Sequence, residues 1–153
     1  MAVWWIDEGK LLGSSNPSSQ ELQMLYNEGF NTIISFLDEE EQSRYDRELV
    51  REMGFELHSI PVPDCTPPSL DQYGMFWGIV IAAFERGKVV AHCEGGSGRT
   101  GSMGAAYWIL KGLPAEDAIE KVRRERSSAV ETSAQCSSLH ELARQHACSQ
   151  QND

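Results

Sequence analysis

Cys93 and Arg99 bracket Glu94-Gly95-Gly96-Ser97-Gly98, five residues of which three are glycine. The apolar run Val89-Val90-Ala91 leads in and a helix-like pattern follows, so the order is strand, tight loop, helix start. Backbone N–H groups in such a loop point inward, and the helix N-terminus adds partial positive charge. That shape suits a tetrahedral dianion with a sulfur nucleophile beneath it. Cys93 would attack phosphorus as a thiolate, favoured by the loop N–H groups, the helix N-terminus and Arg99. Arg99 can grip two phosphate oxygens with its planar fork. Gly95, Gly96 and Gly98 let the backbone come close, and Glu94 and Ser97 complete the phosphate-facing stretch. Thr100 offers a hydroxyl to the sulfur when it becomes a leaving group. His92, at a strand end, is better placed to hold the loop by hydrogen bonds than to transfer protons.

The elements that must position this loop read out along the chain. Val3 to Ile6 and Lys10 to Gly13 have the pattern of short strands. Ser18 with Glu21 forms a capping box opening a helix that stops at Gly29. Asn31 to Leu37 is a β-branched strand, Asp38 to Met53 a charged stretch helical in its second half, and Phe55 to Ile60 another strand. Pro61 to Pro68, with prolines at 61, 63, 67 and 68, must be a loop. Ser69 with Gln72 caps an apolar helix running to about Arg86, and Val89 to His92 is a buried strand. Helices follow at about Thr100 to Lys111, Pro114 to Arg124 and Thr132 to Ala147. This order predicts one α/β domain over residues 1–153. Its central, mostly parallel twisted sheet has four to five strands, with helices on both faces. The cysteine loop then sits at the carboxyl end of a strand, where ligands bind in such sheets.

Composition narrows the partners. The 153 residues suffice for one full core, and 41% hydrophobic with 24% charged residues is ordinary for a soluble globular chain. Thirteen basic against 23 acidic residues give a net charge of −10. That field disfavours nucleic acid and anionic membranes, so a phosphate site must be basic locally. No apolar run approaches the ~20 residues that span a bilayer. Met1 to Asp7 lacks the basic and apolar regions of a signal peptide, which predicts a cytoplasmic protein. Cys65, Cys93, Cys136 and Cys148 show no CxxC spacing and read as free thiols. Cys136, His140, His146 and Cys148 fit no metal pattern, and no metal or cofactor is expected.

The stretch HCEGGSGRTG resembles the signature HCxxGxxR[S/T]G of the cysteine-based protein tyrosine and dual-specificity phosphatases. Its glycine pair and the glycine before Arg99 are most similar to compact archaeal tyrosine phosphatases and the smallest atypical dual-specificity enzymes. Two further segments carry the resemblance across nearly the whole chain. Ile60-Pro61-Val62-Pro63-Asp64 is similar to the family's general-acid loop. By that match Asp64 protonates the leaving oxygen and then activates water; the local alternative is a turn-forming Asp beside prolines. Val122 to Gln135 resembles the family's VRxxRPGAVETxxQ stretch. The match implies that Gln135 positions the hydrolytic water and that Arg123 and Arg126 hold the loop or add positive field. A capping box from Thr132 to Gln135 is the local alternative for Gln135. Ser127-Ser128 stands where relatives carry Pro-Gly, which puts the rigidity of that loop in question.

The acidic run Asp38 to Glu41 reads as a solvated face, although Glu39 or Glu41 could bring a carboxylate to the site as in some relatives. Glu131 is a possible second acid. Glu94 and the lack of extra basic residues in the loop argue against phosphoinositides and polyphosphorylated RNA ends. The resemblance therefore implies a monomeric, metal-independent phosphatase of phosphotyrosyl proteins or peptides, with some action on phosphoserine and phosphothreonine. Alternatives are a non-catalytic phosphate-binding module, or another C-x5-R enzyme such as a sulfurtransferase or arsenate reductase. Cys65 or Cys136 could also pair with Cys93 as a redox guard.

Overall fold

A computed structural model describes residues 1–151. Five strands, β1 (Val3–Asp7), β2 (Leu11–Ser14), β3 (Phe30–Ser35), β4 (Glu56–Ser59) and β5 (Lys88–His92), form one sheet in the order β1-β2-β5-β3-β4. β1 runs antiparallel to β2 at one edge, and the other four strands are parallel. The helices are α1 (Ser19–Asn27), α2 (Arg47–Met53), α3 (Leu70–Ala83), α4 (Gly98–Leu110), α5 (Ala115–Glu125) and α6 (Ser133–Gln151). The α/β architecture and mostly parallel sheet are those expected from the sequence.

Strand residues alternate between two cores, as a period of two demands. Leu12, Ile33 and Val90 pack with Leu22 and Leu25 of α1 and Val50 of α2. Leu11, Ile34, Val89 and Ala91 face the larger core shared by α3 to α6. β5 is thus covered on both faces, which is why Val89-Val90-Ala91 is an unbroken apolar run. Both expected capping boxes are present, Ser18 with Glu21 and Ser69 with Gln72. Several element ends differ from expectation, the last helix running on to Gln151, and two of the differences have a local cause. Phe36 and Leu37 are buried but lie beyond the β3 ladder, so hydrophobicity outlasts the strand. α3 ends at Ala83, ahead of a turn into Gly87 at φ +152°.

The parallel strands end in step: Ser14 pairs with His92, His92 with Ser35, and Ser35 with Ser59. Their carboxyl ends therefore deliver four loops to one place, around the start of α4. Among the described residues no helix is long and apolar enough to cross a membrane.

Candidate active site

Cys93 leaves β5 almost wholly buried, at 2% exposed. Its sulfur accepts from Thr100 Oγ1 at 3.0 Å and from the Gly96 amide at 3.3 Å. The fate of the loop's carbonyls explains which way its amides face. Four in succession are taken by donors outside the loop's own backbone. His92 Nδ1 binds Cys93 O at 3.1 Å and the Asn16 amide binds Glu94 O at 2.9 Å. Arg126 Nη2 binds Gly95 O at 3.2 Å and Trp4 Nε1 binds Gly96 O at 2.8 Å. A trans peptide sets its C=O and the following N–H on opposite sides. Carbonyls drawn outward leave the amides of Glu94, Gly95, Gly96 and Ser97 facing the seat above the sulfur. Gly96 takes φ +78°, and a β-carbon there would lie 2.7 Å from the Ser15 nitrogen, so glycine is required.

His92 is buried beneath this loop. A carbonyl oxygen can only accept, so the ring proton is on Nδ1 and Nε2 accepts from the Tyr45 hydroxyl at 2.9 Å. Burial pulls its pKa down to about 4, which keeps the ring neutral and that pattern intact. Its position is that of a strut.

Arg99 is 1% exposed. Nη1 donates to Glu41 Oε1 at 2.5 Å and Val62 O at 2.9 Å, while Nη2 donates to Glu41 Oε2 at 2.9 Å and lies 3.4 Å from Asp64 Oδ1. Nε is buried and has no partner among the described residues. A buried donor without an acceptor costs about 1–3 kcal/mol, and here it lies on the side chain that the motif assigns to phosphate. Glu41 corrects the reading of its acidic run as a solvated face. Glu39 and Glu40 are exposed, but Glu41 turns inward because the buried guanidinium needs a counter-charge. The Arg99 hydrogen bond holds the Glu41 carboxyl below the usual carboxylate range.

The proline-rich loop after β4 carries Asp64, whose side chain is 70% exposed. Its Oδ1 accepts from the Cys65 amide at 2.9 Å, and Cys65 takes φ +64°. Asp64 therefore combines the turn role with a place beside Arg99. Gln72 Nε2 on α3 fixes the start of this loop by donating to Pro61 O at 2.8 Å.

Gln135 is fully buried and completes a reciprocal capping box with Thr132, both bonds at 3.1 Å. Its Nε2 reaches Thr66 O at 3.4 Å, linking α6 to the acid loop. A β-carbon on Gly98 would lie 3.2 Å from Gln135 Nε2 and 3.3 Å from Glu131 Cδ, so both side chains overhang the start of α4. Two arginines of this segment, Arg123 and Arg126, separate. Arg126 reaches the cysteine loop, whereas Arg123 grips Ala129 O at 2.9 Å and Val130 O at 2.6 Å. Val130 is held at φ +58°, a conformation a β-branched residue rarely adopts. All four cysteines are free: Cys136 lies 3.7 Å from Arg123 Nη2, and Cys65 and Cys148 are exposed.

The site is less basic than the sequence argument required. Arg99 and Arg126 are set among Glu41, Asp64, Glu94 and Glu131. Backbone amides supply much of the positive potential instead. Trp4, Asn16 and Tyr45 support the loop without any motif to reveal them. Asn16 also donates from Nδ2 to Glu94 Oε2 at 3.0 Å and to Gln42 O at 2.9 Å.

Residues 2–153 match the family model described as Swiss Army Knife protein, DSP-PTPase phosphatase domain. The chain belongs to this phosphatase family. The crystal structure of Tk-PTP in its active form superimposes with a TM-score of 0.86, at 32% identity over 93% of this chain and 96% of that one. Protein tyrosine phosphatase domain-containing protein 1 of Mus musculus is 27% identical over 90% of this chain. Dual specificity protein phosphatase TpbA of Pseudomonas aeruginosa strain UCBPP-PA14 is 27% identical over 74% of it. The chain spans 21% of the length of the mouse protein and half that of TpbA.

Proposed function

We propose that this phosphatase hydrolyses phosphotyrosine in proteins or peptides, and phosphoserine or phosphothreonine more weakly, through a cysteinyl-phosphate. The observation that carries the reading is the buried, unpartnered Nε of Arg99 in the first turn of α4, next to a loop whose Gly96 amide donates to Cys93 Sγ. An anion seated there would take that N–H and the loop amides together. Cys93 Sγ attacks phosphorus as the bond to the leaving oxygen breaks, and Asp64 donates its proton to that oxygen. Water, oriented by Gln135, then attacks the phosphocysteine and gives a proton back to Asp64. Thr100 Oγ1 donates to the departing sulfur. The charge of the phosphoryl group is met by Arg99 and backbone amides, so neither step calls for a metal.

Glu94 at the rim and the exposed position of Asp64 favour one phosphate on a protruding side chain over a polyphosphorylated headgroup. The test is hydrolysis of an aryl phosphate in the presence of a chelator, followed by a profile over phosphopeptides and phosphoinositides. Turnover that persists in Cys93→Ser would exclude the mechanism, and a preference for phosphoinositides would overturn the substrate class.

A further inference from the structure

Ser97 is the residue immediately before α4, where a serine side chain ordinarily caps the helix by accepting from an N–H of the first turn. Here it makes no such bond, and its backbone lies at φ −118°, ψ −69°, outside the extended region a cap uses. Its hydroxyl instead lies 2.8 Å from Ser128 Oγ and accepts from Arg126 Nε at 3.1 Å. Ser97 is 4% exposed, so its end of this part-buried arrangement is enclosed. The same arginine holds Gly95 O through Nη2.

A capping hydroxyl would compete with phosphate for the amides at the start of α4. We propose that Ser128 and Arg126 are positioning residues that hold the Ser97 hydroxyl away from the helix terminus, leaving those amides to the substrate. Ser128 acts through a hydroxyl that glycine, the residue the family resemblance places there, does not have. Released from the latch, the Ser97 backbone is free to move to the extended conformation in which its hydroxyl caps, and the phosphate seat loses donors. A serine cap is worth enough to weaken phosphate binding roughly fivefold.

The inference rests on the reading of the cysteine loop as the phosphate seat, and the experiment separates the two. The inhibition constant of inorganic phosphate is measured against an aryl phosphate for the wild type, for Arg126→Lys/Ser128→Ala, and for that pair combined with Ser97→Ala. Lysine keeps the charge but loses the fork that spans Ser97 Oγ and Gly95 O. Ser128 is exposed, and a melting temperature for each variant shows that the fold is retained. The expected result is a constant raised ~5-fold in the pair and brought back most of the way by Ser97→Ala. A purely structural latch gives no such rescue. An unchanged constant in the pair, or no recovery in the triple variant, overturns the latch alone. A wild type that phosphate does not inhibit competitively overturns the seat, and the latch with it.

Discussion

Cys93, Arg99 and Thr100 are each 2% exposed or less, whereas the Asp64 side chain is 70% exposed. The proposed phosphate seat is cut into the core, between β5 and α4, with its carbonyls held by Trp4, Asn16, His92 and Arg126. Asp64, the proposed acid, sits on a surface loop anchored by Gln72, Thr66 and the tip of Gln135. On the proposed mechanism, phosphate binding falls to the buried region and proton transfer to the exposed loop. A loop of this kind costs little stability to alter, so substitutions in the two regions should separate cleanly.

The widest separation is at the nucleophile. Cys93→Ser should lower kcat for any phosphomonoester on the order of 10⁴-fold or more, measured as steady-state release of phosphate. Asp64→Asn should cost about 10²- to 10³-fold with alkyl phosphates and far less with a nitrophenyl phosphate, whose leaving group needs no proton. An equal loss with both substrates would remove Asp64 from the acid role. The melting temperature should hardly move in Asp64→Asn.

Acid stability marks the buried side of the comparison. His92 is depressed to about 4 in the fold by burial, against an ordinary value near 6.5. The unfolded chain therefore binds the proton first. Stability is complete above about pH 6.5 and falls as the pH drops toward 4, by on the order of 3 kcal/mol. Denaturant midpoints across that range should show the slope, and His92→Asn should flatten it.

Smaller effects come from the contacts between regions. A β-carbon on Gly101 would lie 2.7 Å from both Ala129 Cβ and the Val130 nitrogen. Gly101→Ala should displace the strained Val130 turn and with it Gln135, costing about 1–3 kcal/mol of stability. It should also slow breakdown of the phosphoenzyme more than its formation, read as a larger burst before steady state. Glu41→Gln removes the counter-charge of Arg99 but keeps a hydrogen-bonding group. It should lower kcat/KM about 10-fold, chiefly through KM, as the fork loses its fixed orientation.

Legibility in the sequence followed the range of the interaction. The capping boxes of α1 and α3, the proline loop and the strand-loop-helix around Cys93 are set by neighbours within a few residues, and their patterns named them. Glu41 was misread because the partner of its carboxylate is 58 residues away. Trp4 and Gly96 are 92 residues apart, and Asn16 and Glu94 are 78 apart. Those pairings exist only because β5 lies between β2 and β3, a strand order that local pattern does not encode. The Ser97 hydroxyl is a similar case. It stands next to a helix start, yet its partners are Ser128 and Arg126, 31 and 29 residues away.

The central claim is that phosphate is transferred to Cys93 in the buried seat before water takes it. The direct measurement is rapid acid quench of Gln135→Ala during turnover of an aryl phosphate, with peptide mass spectrometry across residues 88–99. The account predicts one phosphoryl group on Cys93, formed as fast as the burst of phenol and absent from Cys93→Ser. A full burst with Cys93 unmodified, or the phosphoryl group on another residue, would contradict it.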